Sequence, residues 1–105
     1  MEDNDNLQLG GNIELSGFGT LDGGVMIVLK KIVGNYARRM NEKAKNFEKL
    51  SLTMKLVHAK EKGEKYELHA KLLDNGQPIT SSTTERNLFV GIDSVLKSVI
   101  GQMKP

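Results

Sequence analysis

The run VMIVLKKIVGNYARRMNEKAKNF, residues 25–47, decides the fold. At about 100° per residue, Val25, Leu29, Ile32, Val33, Tyr36, Met40, Ala44 and Phe47 fall within one arc roughly 120° wide, the mark of an amphipathic helix of about six turns. Lys31, Arg38, Lys45 and Lys49 fall on the opposite side. The apolar arc requires a sheet to cover it, and the opposite side offers cations to a partner.

The sequence on either side supplies that sheet. Upstream, Asn12 to Phe18 alternates through Ile13 and Leu15 and reads as a short first strand, and Asp22 is placed to cap the long helix. Gly17, Gly19, Gly23 and Gly24 surround this strand; no Gly-Lys-Ser/Thr follows them, so they read as turn residues and not as a phosphate cradle. Residues 1–11, MEDNDNLQLGG, are expected to form a flexible acidic tail that adds nothing to the core, leaving 12–105 as a single domain.

Downstream, SLTMKLVH (51–58) places Leu52, Met54 and Leu56 on one face, and KYELHAKLL (65–73) does the same with Tyr66, Leu68, Ala70 and Leu72. Asp74-Asn75-Gly76 tolerates the positive φ of a tight hairpin turn. PITSSTT (78–84) then turns Ile79, Ser81 and Thr83 inward. Asn87 caps a second helix, LFVGIDSVLKSVIGQM, with Leu88, Phe89, Ile92, Val95, Leu96, Val99 and Met103 on its apolar arc. The expected order is β-α-β-β-β-α. That is an α+β two-layer sandwich, a four-stranded mixed sheet with both helices on one face, because only one face of each strand is apolar and a right-handed crossover makes the first two strands parallel.

Composition sets the outer limits. At 105 residues, with 38% hydrophobic and 27% charged, the chain suits one domain. The absence of cysteine excludes disulfides, thiolate nucleophiles and cysteine-ligated zinc. An acidic, polar start and the lack of any run near 20 apolar residues point to a cytoplasmic protein with no membrane partner. The net charge of +2 hides an asymmetry. Residues 1–24 carry acids and no Lys or Arg, whereas 25–50 carry Lys30, Lys31, Arg38, Arg39, Lys43, Lys45 and Lys49 against Glu42 and Glu48.

The run ITSSTTERNLFVGIDSVLKSVIGQM, residues 79–103, resembles the end of the bacterial ribosome hibernation-promoting factors and ribosome-associated translation inhibitors. The most specific part is a helix opening with a large apolar pair followed by small-small-Ile-Asp, here Leu88-Phe89-Val90-Gly91-Ile92-Asp93. The similarity continues from Leu29 through Val57, including Lys30 and Arg39. The resemblance implies a β-α-β-β-β-α protein that binds small ribosomal subunit RNA and modulates translation under stress, with both helices presenting Lys and Arg to phosphates. The last helix departs from the family pattern: Ser98 and Gly101 stand where cations are usual, and Lys97 and Lys104 remain.

The expected RNA-binding residues are therefore Lys30, Lys31, Arg38, Arg39, Lys45, Lys49 and Lys97, acting on phosphates without reading bases. The alternative is a non-enzymatic protein-interaction or self-associating domain, a homodimer, whose interface is a small-residue stripe of Gly91, Ser94, Ser98 and Gly101 on the outer side of the last helix. An enzyme is not expected. His58 and His69 are the only imidazoles, no acidic cluster completes a metal or acid-base set, and no catalytic residue, metal or cofactor is assigned.

Overall fold

A computed structural model describes residues 6–9, 12–59 and 63–103. The elements are β1 (Asn6–Leu9), β2 (Ile13–Ser16), α1 (Gly23–Lys43), β3 (Phe47–Ala59), β4 (Gly63–Asp74), β5 (Gln77–Glu85) and α2 (Leu88–Gln102). The expected β-α-β-β-β-α series is present in β2 through α2, with β2 and β3 parallel and the later pairs antiparallel. The chain is an α+β sandwich. A further strand, β1, pairs antiparallel with β2 and extends the sheet to the order β1-β2-β3-β4-β5.

That extra strand corrects the reading of residues 1–11 as a tail without core contacts. Leu7 and Leu9 are half-buried and pack against the core, so the alternation in NLQL carries an edge strand. The remainder of that stretch lies outside the described residues, as do residues 60–62 and Lys104.

Both helices begin where their caps predict. The Asp22 carboxylate accepts from the Val25 amide at 2.9 Å, and Asn87 Oδ1 accepts from the Val90 amide at 3.1 Å, each satisfying one otherwise orphaned helix donor. The long helix, however, stops at Lys43, and Ala44 is its C-cap. Phe47 therefore belongs to β3 and not to the helix, where its angular position also suited the apolar arc.

One core lies between the sheet and the two helices. Leu15, Leu29, Val33, Met40, Leu50, Leu52, Leu68, Leu72, Ile92, Leu96 and Val99 are wholly buried. Helix α2 lies over β4 and β5, while α1 packs against α2 and β3. Leu56, expected to face inward, is 41% exposed. The reason is geometric: β2 ends opposite Thr53, so the β3–β4 hairpin runs on past its neighbour with nothing to cover that side chain.

Gly17 shows how tightly β2 joins this layer. Its φ is +85°, and a Cβ there would run into the Met54 carbonyl oxygen. Only glycine meets both conditions. Asn75 (φ 54°) and Gly76 (φ 80°) form the two-residue β4–β5 turn as expected.

Candidate functional site

Helix α1 is long, rigid and apolar on one side, so its outward residues are held at fixed spacing. Lys31 and Arg38, seven residues apart, share the outward direction and stand about 10 Å apart along the axis. Both are exposed, as are Lys30 and Arg39 on the flanks. Arg38 makes a long hydrogen bond to Asn35 Oδ1 at 3.5 Å, and among the described residues none of these four cations forms an ion pair. The outer face is mixed along its length: Ile27 (64% exposed) and Val28 (45%) precede the cations, and Glu42 follows them.

Two expected members of the cationic row do not lie on the helix. Lys45 sits in the α1–β3 connection, because the helix has already ended. There it shares the rim of a depression of about 340 Å³ with Asp74, Gln77 and Gln102. The corner is fastened by the Asn46 amide donating to Asp74 Oδ1 (2.9 Å) and the Gly76 amide donating to Glu48 Oε1 (2.8 Å). Lys49 is a β3 residue, and its ammonium pairs with Glu14 at 2.7 Å. A cation already neutralised in this way has less to offer a phosphate.

Between the helices lies a cluster that periodicity did not single out. The Tyr36 hydroxyl donates to the Asp93 carboxylate, Arg39 stands over the Tyr36 ring at 5.1 Å, and Lys97 approaches Asp93 at 3.6 Å. Burial, together with the hydrogen bond to Asp93, raises the Tyr36 pKa above its ordinary value, so the phenol stays protonated and donating at neutral pH. One signal could have revealed the cluster. A tyrosine on a buried arc needs a partner for its hydroxyl, and Asp93 is the only acid in the second helix.

The small-residue stripe divides. Ser94, Ser98 and Gly101 are exposed as expected, but Gly91 is buried against the sheet. A Cβ at Gly91 would lie 2.6 Å from Leu68 Cδ1 and 3.2 Å from Glu85 Cβ, so the glycine serves close helix–sheet approach and belongs to no outer surface.

The open sheet face carries a polar grid. Ladder pairing aligns Ser51 with Lys71 and Thr80, and Thr53 with His69 and Ser82, over a depression of about 510 Å³. Lys71 and Lys55 form no ion pair among the described residues, while His69 lies 3.5 Å from Glu67. His58 and His69 project from opposite faces by strand alternation, and no group of three or more His, Asp or Glu is close enough to hold a metal among the described residues. No helix there is long and apolar enough to cross a membrane. The arrangement as it stands offers anion contacts from rigid positions. Comparison of the chain with protein-family models and with curated proteins finds no match to either.

Proposed function

We propose that this chain is a ribosome-associated, RNA-binding protein that modulates translation in the manner of the hibernation factors it resembles, docking on small-subunit RNA through the outer face of α1. The observation that carries this reading is the group of exposed cations Lys30, Lys31, Arg38 and Arg39 on one rigid helix, none of them ion-paired among the described residues. Such side chains neutralise phosphates and release counterions, and they meet A-form RNA through backbone and shape without reading bases. Lys97, paired with Asp93 at 3.6 Å and so partly neutralised, adds a weaker contact from α2. The protein acts in the cytoplasm as a non-catalytic stress-response factor in this reading, and Lys45 and Lys49 play a smaller part than the residues on the helix.

Co-sedimentation with purified small ribosomal subunits at low and high salt tests the proposal. Binding is expected to fall as salt rises. Absence of any salt-sensitive association would overturn it.

A further inference from the structure

Strand β5 forms one edge of the sheet, and its register shows which backbone groups face outward. Asp74 and Gln77 flank a two-residue turn and so exchange both hydrogen bonds; from there the antiparallel ladder alternates. Ile79, Ser81, Thr83 and Glu85 thus aim their amides and carbonyls at β4, while Pro78, Thr80, Ser82 and Thr84 aim theirs away. A contact independent of the ladder agrees: Gln102 Nε2 donates to the Thr80 carbonyl at 2.9 Å.

The half of the edge next to the turn is therefore shielded, since Pro78 has no N–H and the Thr80 carbonyl is already engaged. The other half is open. Ser82 and Thr84 present both donor and acceptor outward, and Thr80 presents its N–H. The bond from Gln102 also shows which side of α2 overhangs this edge. Ser98 and Ser94, one and two turns earlier, lie on that side and are exposed.

We infer that this open edge is a self-association site, in which β5 of a second copy pairs antiparallel with β5 about a two-fold axis at Ser82. Thr80 then faces Thr84 of the second copy, and Ser82 faces Ser82. Self-pairing is the occupant the chemistry favours. No charge lies between Gln77 and Thr84, so no like charges meet, and hydroxyl side chains opposite one another are favourable cross-strand pairs. Glu85 and Arg86 fall opposite Ile79 and Pro78, away from their own copies. The two-fold lies perpendicular to the sheet, which keeps all helices on one face and sets the two α2 helices alongside. Their small side chains there permit close approach. The α1 cations lie over the other half of each sheet and remain free, so this inference is independent of the RNA reading.

Sedimentation equilibrium of the full chain from low to high micromolar concentration, joined to amide exchange at the same concentrations, tests it. A reversible monomer–dimer equilibrium is expected, with exchange at Thr80, Ser82 and Thr84 slowing as the dimer fills, the Thr84 amide sharing the two lone pairs of the Thr80 carbonyl with Gln102. Ser82→Pro removes an outward N–H and no bond to β4, so it should raise the dissociation constant at least about tenfold and leave the melting temperature of the dilute monomer unchanged. Ser94→Arg with Ser98→Arg should do the same by like-charge conflict, and Lys31→Glu should not. A chain that stays monomeric at high micromolar concentration overturns the inference. So does a dimer that protects other amides, or one that Ser82→Pro leaves intact. Should Ser82→Pro fail to fold, concentration-dependent exchange in the unmodified chain decides alone.

Discussion

Tyr36 and Asp93, 57 residues apart in sequence, meet between the two helices, where the phenol donates to the carboxylate. The bond ties α2 to α1 above the sheet. Asp93 is also met by Lys97 one turn further along α2, and Arg39 stands over the Tyr36 ring within α1, both contacts that helix spacing alone brings together.

Tyr36→Phe is expected to cost about 1–3 kcal/mol, the range for a hydrogen bond to a charged group that leaves its partner half-buried. Its pH dependence provides a second reading. The folded pKa is raised above the unfolded value near 10, so the contribution of this tyrosine is present below that pH and is lost as pH rises through the folded value. Denaturant titrations across the alkaline range should show the gap between wild type and Tyr36→Phe narrowing. A gap of constant size would mean that the bond is not made.

Two glycines should respond in opposite directions to alanine. Gly17→Ala meets both a positive φ and the Met54 carbonyl, and should cost several kcal/mol or prevent folding. Gly34, inside α1 with nothing near its vacant Cβ position, should tolerate alanine with a gain of about 0.5–1 kcal/mol from helix propensity. Thermal melts of the two variants settle the matter, and a destabilised Gly34→Ala would contradict the open surface there.

The sheet face assigned to the core is tested by neighbours on β4. Leu68 is wholly buried, and Leu68→Ala should cost about 2–5 kcal/mol. Glu67, on the open face, should change stability by less than about 0.5 kcal/mol when replaced by alanine. Equal denaturation midpoints for the pair would show the face to be misassigned.

The RNA reading separates the two sides of the molecule. Lys31→Glu with Arg38→Glu should weaken small-subunit binding at least about tenfold and reduce the slope of log affinity against log salt by about 1 for each phosphate that is no longer neutralised. Lys55→Glu with Lys71→Glu on the open sheet face should matter less. Filter-binding or co-sedimentation at several salt concentrations distinguishes them; a larger effect from the sheet-face pair would transfer the RNA surface to the polar grid.

Much of the architecture was determined by the sequence itself. The 3.6-residue and two-residue periods, the caps Asp22 and Asn87 and the Asn75-Gly76 turn each depend on residues near one another in the chain, so local patterns identify the elements in order and which side of each is buried. What lay beyond that reach was decided by tertiary structure. The long helix could continue through Lys45 and Phe47 on periodicity alone, yet Phe47 is drawn into β3, which carries Lys49 to Glu14 and takes both lysines off the helical row. Gly91 looks like one more small exposed residue until α2 is set down on Leu68, and Asn6–Leu9 looks like a polar tail until β2 gives it an edge to pair with. Tyr36 finds Asp93 only when both helices occupy one face of one sheet. These outcomes depend on contacts between distant segments, whose partners no local period names and only close packing selects.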